Sequence, residues 1–596
     1  MQLSTLDWSI VIGFFILSLY IGWRVSKKAS QGVGDFFLSG RNMPWWLLGI
    51  SMVATTFSSD TPNLVTDIVR TNGVSGNWVW WAFLLTGMLT VFVYAKLWRR
   101  SEALTDLEFY ELRYSGKSAA FLRGFRALYL GVFFNIMIMA SVCLAAIKIG
   151  GVLLGLSPVQ TLLIASVITV VYSSLGGLKG VIITDFFQFI LAMIATFWAA
   201  GFIIGLPEID GLSNLFAHAD VQPKLDFIPK LSNKELFLSV FLIPIALQWW
   251  SVWYPGAEPG GGGYIAQRML SAKDEKNAIW ATLLFNFMHY AVRPWPWILV
   301  ALASLIIFPN LDSLQQAFPN IDASLIGHDL AYPAMMTFLP SGLLGLLVAS
   351  LIAAFMSTIS THLNWGASYV VHDFYSRFIN PNASEKKLVS LGRWTISLLM
   401  LAAGLFALVL DNALQAFSIL LQIGAGTGLL FILRWFWYRI NVFSEITAMV
   451  VSFLLAIYMQ VLHPLLGFTP LSTFNQLLIG VGVTTLAWIG VTLVTSPEEE
   501  ATLIKFYEKI QPGGPGWKKV GANMPVQNTS THSEAAWDVP LGIVCMIMGT
   551  AAVYGLLFAL GSLLYGDYTR MAWLLGTALL SLWGLFHFWR QISTRK

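Results

Sequence analysis

Charged residues are scarce in this chain, and their scarcity indicates the solvent in which it folds. Of its 596 residues 11% are charged, whereas 56% are hydrophobic and the mean hydropathy is +0.69. A soluble protein of this length covers its surface with charge, so the composition indicates a multispan membrane protein. The formal net charge of +4 is spread over loops and gives no indication of a nucleic-acid partner.

Cysteine and the short motifs of catalysis are also nearly absent. The two cysteines, Cys143 and Cys545, both fall inside apolar blocks, so no disulfide framework is predicted. No HExxH pairing occurs, and SGKS at 115–118 lacks the leading glycine of a phosphate-binding loop. His362 and His372 have no metal-ligand partners at useful spacing. We therefore expect neither a membrane enzyme nor an ATP-driven pump.

Long apolar blocks are abundant. Each is about 20 residues or longer, enough to cross a hydrocarbon core of roughly 30 Å as a helix. The first block follows only seven residues, without a basic flank or a cleavage site, so we expect a retained span. The predicted fold class is an all-α membrane protein with about fifteen transmembrane helices, near 8–25, 44–66, 78–98, 124–155, 157–174, 180–206, 235–255, 276–308, 335–376, 390–411, 413–435, 442–463, 474–494, 539–563 and 568–590.

The charge of the loops predicts the orientation. Every second loop is basic, whereas the loop at 309–330 contains aspartates but no Lys or Arg. Since basic loops remain in the cytoplasm, the N-terminus is expected outside and the C-terminus in the cytoplasm, which agrees with an odd number of spans. The basic loops and tail hold Lys27, Lys28, Arg41, Arg99, Arg100, Arg113, Arg268, Lys273, Lys386, Lys387, Arg434, Arg439, Arg590, Arg595 and Lys596.

Composition also suggests how the chain is divided. The connection at 495–538 contains SPEEEATLIKFYEKI, with capping acids and helical spacing, and then the turn-rich PGGPGW. The predicted parts are an extra N-terminal helix with its loop at 1–43, a first half at 44–206, an outside loop and second half at 207–440, additional helices at 441–494, a cytoplasmic linker at 495–538 and a C-terminal helix pair at 539–596.

Two of the apolar blocks are interrupted. The second carries SSDTP in its middle, and the seventh carries Pro244 and a Pro/Gly cluster from Pro255 to Gly263. An odd number of spans separates them, so the two run in opposite directions through the membrane. Paired broken helices of opposite direction are typical of an inverted-repeat transporter. The alternative is that these are ordinary Pro and Gly residues of membrane helices.

A broken helix exposes carbonyl groups that need partners in hydrocarbon, and a bound cation can supply one. Small hydroxyls recur at helical spacing in VASLIAAFMSTIST, residues 348–361, and could face the first break. The alternative is close helix packing, for which small residues are equally suited. The five candidate oxygen donors are the backbones of Ala54, Phe57 and Ala354, the last freed by a local distortion, and the hydroxyls of Ser357 and Thr358.

Two aspartates lie at membrane depth. An ionisable group there costs about 2.5–3.5 kcal/mol on insertion scales and commonly marks an ion path. Asp185 falls a few residues inside its span, where the alternative is an interfacial carboxylate paired with Lys179. Asp60 lies in the break itself and is the stronger candidate for a functional carboxylate.

Several ordered motifs resemble the sodium:solute symporters, a family that includes sodium/glucose, sodium/proline and sodium/sialic acid transporters. The resemblance covers roughly residues 5–440 and weakens beyond. It is carried by DFFLSGRNMPWW (35–46) with GISMVATTFS after it, YSSLGGLKGVIITDFFQ (172–188), GYIAQRMLSAKDEK (263–276) and STISTHLNWGASYVVHDFY (357–375).

The resemblance implies the five-plus-five inverted-repeat fold first described for a bacterial leucine transporter, with the repeats in 44–206 and 207–440. It also implies that the family's sodium ligands fall on Ala54, Phe57, Ala354, Ser357 and Thr358. The acidic residue of the family's TD motif falls on Asp185, where it implies a supporting or additional sodium position.

The sequence departs from the sugar transporters of this family at the positions that hold sugar. Trp80 stands where they have a glutamate, and the run from Gln248 to Tyr254 stands where they have an asparagine and a tyrosine. Stacked indoles suit sugars, aromatic solutes or organic cations, and a sugar-like solute is slightly favoured. The candidate substrate-binding residues are Asp60, Thr61, Trp80, Gln248, Trp249, Trp253 and Gln422.

The sequence thus predicts a sodium-coupled symporter that imports a small organic solute by alternating access, in a bacterial inner membrane. Its expected partners are the solute, sodium ions and the lipid bilayer, and no oligomeric state is indicated. One alternative keeps the fold but couples to protons through Asp60 or Asp185. Another is a solute sensor that signals through 495–538.

Overall fold

The computed structural model describes residues 3–29, 32–253, 259–410, 413–523 and 537–592. These residues form helices, and no β-strand occurs among them beyond two isolated bridges, Met43 with Ala272 and Val252 with Ala425. A helix satisfies its backbone donors and acceptors within one segment, which is what hydrocarbon requires. The prediction of an all-α membrane protein is confirmed.

Eleven helices in the described part of the chain are long and apolar enough to cross a membrane. Large apolar side chains project from their outer faces; Leu398 is 63% exposed and Leu579 is 58% exposed, as suits a lipid solvent. The eleven are Thr5–Arg24, Val74–Ser101, Gly116–Leu154, Gly177–Ile204, Glu275–Ile307, Leu343–Ile379, Glu385–Ala407, Val442–Leu465, Thr473–Val494, Val539–Leu564 and Tyr568–Trp589.

Four further apolar segments are shorter or interrupted, so the count of fifteen spans stays a prediction. Pro158–Ser174 is separated from the next helix only by a kink at Gly177, where φ is +54°. The other three are pairs of shorter pieces: Trp45–Thr55 with Asp60–Asn72, residues 234–251 with Gly263–Ser271, and Ala413–Ile423 with Gly428–Leu433. The first two pairs contain the breaks predicted from the sequence. Tyr254 and the first residues of the Pro/Gly cluster, to 258, lie outside the described residues.

The third interruption was not predicted, because the sequence analysis took 413–435 as one block. It falls at GAGT, residues 424–427, where Gly426 has a φ of +81° that favours glycine. The two later breaks satisfy each other's backbone: the N–H of Trp253 donates to the carbonyl of Gly424 at 3.1 Å, and that of Gly426 to Ser251 at 2.9 Å. A Cβ at position 424 would lie 1.8 Å from the Trp253 carbonyl oxygen, so glycine permits this approach.

The first broken span lies at the centre of the helical packing. Its second piece, Asp60–Asn72, packs against Asn135–Ile149 and Pro294–Ile307. Its first piece, Trp45–Thr55, packs against Glu275–Phe287, Pro158–Ile204 and Leu343–Ser368. The loose ends of the break are therefore enclosed by protein rather than lipid, as irregular backbone at membrane depth requires.

The linker at 495–538 is packed onto the bundle where it is described. Its helix Glu500–Ile510 matches the helical spacing of the sequence and buries Phe506 and Ile510. Trp517 is also buried, and its indole N–H donates to the carbonyl of Trp435 at 2.8 Å. Residues 524–536 lie outside the described part of the chain.

A network of charges surrounds the short helix Glu108–Arg113, which lies between two spans. Glu108 pairs with the His372 ring at 2.5 Å, and Arg123 pairs with Asp373 at 2.7 Å. Burial alone would raise the pKa of Glu108, but the hydrogen bond and charge of His372 and the charge of Arg123 outweigh it and lower that pKa to about 2. Glu108 is therefore ionised throughout the physiological range.

Candidate functional site: a helix break, a hydroxyl helix and a central cavity

The first break meets the hydroxyl-bearing helix directly. The Thr358 hydroxyl donates to the carbonyl of Thr55 at 2.7 Å, and the hydroxyls of Thr55 and Thr361 lie 3.1 Å apart. Helix Trp45–Thr55 ends here because the backbone turns through residues 56–59 before Asp60 begins the next piece. The freed carbonyl of Thr55 thus finds its partner on another helix, as buried backbone groups must.

The five predicted sodium ligands all lie in this region and all are buried. The carbonyl of Ala54 accepts the N–H of Phe57 at 3.1 Å, so it retains part of a helical turn. The distortion expected at Ala354 does not occur, because Leu343–Ser368 is one continuous α-helix through that position, without Pro or a kink. Of the backbone oxygens at this break, that of Thr55 accepts the Thr358 hydroxyl, and the sequence analysis did not name it.

Asp185 lies beside the hydroxyl pair rather than at an interface. It is fully buried, and it accepts hydrogen bonds from Ser357 at 2.6 Å and Ser51 at 2.5 Å. Its nearest cation is Arg268, at 3.9 Å. The alternative of a pairing with Lys179 is wrong, since no such ion pair occurs among the described residues.

Arg268 joins the carboxylate to the break. Its guanidinium donates to Thr361 at 2.7 Å and lies 3.3 Å from the hydroxyl oxygens of Ser51 and Thr55. The sequence analysis used Arg268 only as a loop charge, although it lies in the last turn of the half-helix Gly263–Ser271 and is fully buried. A buried charge in a membrane protein is itself a functional signal. Around this guanidinium the residues form an oxygen-rich cluster of backbone carbonyl, hydroxyls and one carboxylate, and oxygens of these kinds are the ligands that a hard cation prefers.

A central cavity of about 140 Å³ adjoins this cluster, and Thr55 and Thr358 belong to its wall. A cavity needs about 10–15 Å³ to hold one water molecule, so this space can admit a small organic solute. Three predicted substrate residues line it, namely Asp60, Thr61 and Trp80. The oxygen cluster and the cavity therefore share part of one wall.

The other four predicted substrate residues do not line the cavity. The Gln248 amide donates to the carbonyl of Val79 at 2.8 Å, and the Gln422 amide donates to that of Gln476 at 3.0 Å. Trp249 and Trp253 also lie outside its wall. The first three belong to the segment that breaks at 252–262, and Gln422 belongs to the helix Ala413–Ile423, which lines the cavity through Phe417 and Leu420 instead. The assignment of Gln248, Trp249, Trp253 and Gln422 to the solute is therefore not supported by their position.

The sequence analysis missed the cationic and aromatic side of the cavity. His289, Tyr290 and Arg293 line it, from the run HYAVRPWPW in the helix Glu275–Ile307. A lone arginine near the middle of an apolar span was the signal available, because such a charge is costly and rarely placed without a role. The Trp80 and Tyr290 rings stack with centroids 5.8 Å apart and planes 23° apart, and form a flat wall.

A helical membrane bundle with a broken span, an oxygen cluster at the break and an adjoining cavity is the architecture of a secondary transporter. The model of the sodium:solute symporter family matches residues 36–452, more than half of the chain. The chain belongs to this family. It is accordingly an integral membrane transporter rather than an enzyme, and sodium is its coupling ion.

Relatives and a solved structure agree with this placement. The sodium/glucose cotransporter of Vibrio parahaemolyticus is 26% identical over 480 residues, 77% of this chain and 86% of that protein. A sodium/mannose cotransporter of Bos taurus is 25% identical over 74% of this chain and 76% of its own. A solved sodium-coupled sialic acid symporter, in a substrate-bound outward-open state, shares the fold with a TM-score of 0.66 and 20% identity, over 83% of this chain and 99% of that one.

Proposed function

We propose that this protein imports a small, sugar-like organic solute together with sodium by alternating access. Sugar cotransporters among its relatives and a cavity of about 140 Å³ with an aromatic wall support the solute class. The family assignment supports sodium as the ion that drives uptake. A bacterial inner membrane, with the N-terminus outside and the C-terminus in the cytoplasm, is part of the proposal.

The sodium site of the proposal lies between the first break and the helix Leu343–Ser368. Ala54, Phe57 and Ala354 contribute backbone oxygens, and Ser357 and Thr358 contribute hydroxyls. Since the carbonyls of Ala54 and Ala354 stay within helical turns, each would use its second lone pair for the ion. Asp185, bonded to Ser357 at 2.6 Å, orients that hydroxyl or holds a further sodium on its way out. These oxygen donors suit the ion, whose charge would bind the two helices together at the break.

The single observation that carries the proposal is the 2.7 Å hydrogen bond from Thr358 to the Thr55 carbonyl. Because both residues also line the cavity, an ion bound at this point contacts the wall that receives the solute. Sodium then stabilises the conformer that binds solute well, and by linkage the solute raises the affinity for sodium.

The architecture of the proposal is two inverted five-helix repeats at 44–206 and 207–440. The interrupted segments support it, since a broken helix is the first helix of each half, with its break at 56–59 in one and at 252–262 in the other. The two broken helices are predicted to cross the membrane in opposite directions. The shorter and interrupted segments would complete fifteen spans. Residues 441–494 and 539–596 add helices around this core, and 495–538 links them.

Uptake in proteoliposomes tests the proposal. An inward sodium gradient at constant pH is expected to drive solute accumulation, and an inward proton gradient without sodium is not. Accumulation with the proton gradient alone would instead favour the alternative in which Asp60 or Asp185 carries the proton. Solute binding without accumulation under either gradient would favour a sensor. The linker packed through Trp517 offers no free output domain where it is described.

A further inference from the structure

Arg293 is a buried cation in the cavity wall that makes no direct ion pair with a protein carboxylate, although Asp60 lies on the same wall. Its side chain is 1% exposed, and no Asp or Glu oxygen lies within 4.0 Å of it among the described residues. Some other buried arginines have such a partner, as Arg123 has Asp373 at 2.7 Å and Arg434 has Glu445 at 3.2 Å, whereas Arg70 and Arg113 bond carbonyl oxygens instead. A buried guanidinium without an anion is costly unless a ligand supplies one.

The hydrogen bonds of Arg293 are also few and long. Its hydrogen-bond contacts are the Val53 carbonyl at 3.3 Å, the Thr56 hydroxyl at 3.5 Å and the His289 ring at 3.2 Å. The guanidinium also lies over the Trp297 ring, 5.5 Å from its centroid. Its Nε is buried and has no partner at all. Arg70, a comparable buried arginine without a carboxylate, makes three bonds of 2.7–2.9 Å to oxygen atoms. Arg293 therefore lines the cavity with hydrogen-bonding capacity that the protein does not fill.

His289 fixes the direction of this guanidinium. A guanidinium only donates, so the His289 Nε2 that it contacts must be the unprotonated nitrogen. The proton then lies on Nδ1 and is donated to the Thr56 hydroxyl at 3.0 Å, which in turn donates to the carbonyls of Met52 and Val53. This chain of bonds ties a neutral imidazole to the broken helix and leaves the positive charge on Arg293.

We propose that Arg293 is the anion subsite of the cavity and that the transported solute is a small organic monocarboxylate. The carboxylate binds the guanidinium through paired charge-assisted hydrogen bonds, and the remainder of the solute lies against Trp80 and Tyr290. This inference rests on the proposed function and narrows its solute class from neutral sugars to acids, including sugar acids.

The charges of the wall support a monoanion over a dianion. Arg293 is the one Lys or Arg among the described residues that line the cavity, and Asp60 is the one Asp or Glu. A singly charged carboxylate that enters with one sodium ion adds no net charge to this cavity. A phosphate or sulfate ester would bring a second negative charge with no cation on the wall to meet it.

Matched pairs of solutes test the inference in purified protein. Glucuronate against glucose, galacturonate against galactose, and lactate against propane-1,2-diol differ mainly in the carboxylate. Thermal unfolding at millimolar solute, with sodium or with choline as the cation, is expected to rise for at least one acid in sodium and not for its neutral partner. If only the neutral solutes stabilise the protein, or if no acid does, the proposal is overturned.

Two substitutions assign the effect to the guanidinium. Arg293→Gln is expected to weaken the acid response at least tenfold in apparent affinity, and Arg293→Lys to retain charge but lose the paired geometry, with an intermediate loss. Arg70→Lys is the control, because Arg70 does not line the cavity, and it should bind acids as the wild type does. An acid response that survives Arg293→Gln unchanged overturns the subsite.

The outcomes separate this inference from the proposed function. If neutral solutes are taken up with sodium and acids are not, the symport proposal stands and the anion subsite falls. If neither series responds in sodium, both fail. The stabilisation of each variant by sodium alone shows whether it is folded, so a variant of Arg293 that has lost its structure is not mistaken for one that has lost its ligand.

Discussion

Removal of the two hydroxyls at the helix break is the sharpest test of the ion site. Thr358→Val keeps the shape of the side chain, and Ser357→Ala removes a single oxygen. The double variant is expected to raise the sodium concentration that gives half-maximal effect, because two of the five proposed oxygens are lost. The structure locates both near the break: Thr358 lies 2.7 Å from the Thr55 carbonyl and Ser357 lies 2.6 Å from Asp185.

The magnitude follows from the energy of hydrogen bonds and ion contacts to charged groups, which is about 1.5–3 kcal/mol each. Loss of one hydroxyl at the lower end of this range raises the half-maximal sodium concentration about tenfold. The two residues are adjacent and share one ion, so their effects will not add fully. The double variant should therefore fall between about tenfold and a few hundredfold.

The assay is sodium-dependent thermal stability in detergent, followed by uptake in proteoliposomes. Thr395→Val is the matched control, since the buried Thr395 hydroxyl bonds the Leu391 carbonyl of its own helix at 2.9 Å, away from the break. Ser360→Ala serves likewise, because that hydroxyl bonds the Ser357 carbonyl of the same helix at 3.1 Å. An unchanged sodium dependence in the double variant, or the same shift in a control, refutes the site.

Three other predictions concern stability, each read as thermal unfolding in detergent. Gly424→Ala should destabilise the protein strongly, since a Cβ there would lie 1.8 Å from a backbone oxygen. Its control, Gly404→Ala, has open space around the added Cβ and should be neutral or stabilising by up to about 1 kcal/mol. Equal effects of the two substitutions would contradict the pairing of the two breaks. Lys148→Met alone breaks a buried ion pair with Asp329 at 2.7 Å and should lower the free energy of unfolding by about 3–5 kcal/mol. The double variant Lys148→Met/Asp329→Leu should recover most of this loss, because it leaves no unpaired buried charge. A double variant as unstable as the single one would contradict this account of the pair. The folded pKa of Glu108 is lowered to about 2, so its contribution to the free energy of unfolding is present above its unfolded pKa near 4.5 and is lost as pH falls toward 2. The loss of stability in Glu108→Gln should therefore be full at pH 7 and should narrow below pH 5. A loss that stays constant with pH would exclude this role.

Much of the fold was predictable because lipid imposes a simple pattern on the sequence. Long apolar runs predict the spans, and the polar and Pro/Gly stretches that interrupt two of these runs predict the first two breaks. The break at 424–427 was not predictable in the same way. GAGT is short and contains no charged residue or proline. The need for glycine there becomes clear only from the close approach of Trp253 to Gly424.

The candidate site was predictable in part, and the reason is geometric. The hydroxyl stripe around Thr358 follows from helical period alone, so its approach to the break could be anticipated. Which carbonyl it meets depends on where helix Trp45–Thr55 ends, and a one-residue difference moves the partner from Ala54 to Thr55. Arg293 lies in the cavity wall near Trp80 only because of tertiary packing, and no local sequence pattern predicts that the two residues share this wall.

The shared wall explains how an ion and a solute can act on one equilibrium without a long chain of intermediates. Thr55 and Thr358 belong at once to the oxygen cluster and to the cavity, and Thr56 between them and Arg293 bonds the imidazole that orients the guanidinium. In the proposal, an ion that tightens the contact at Thr358 therefore fixes the backbone from which the proposed anion subsite is held. Coupling of this kind requires only that both ligands favour the same position of residues 55–60, and each then raises the affinity for the other by the same factor.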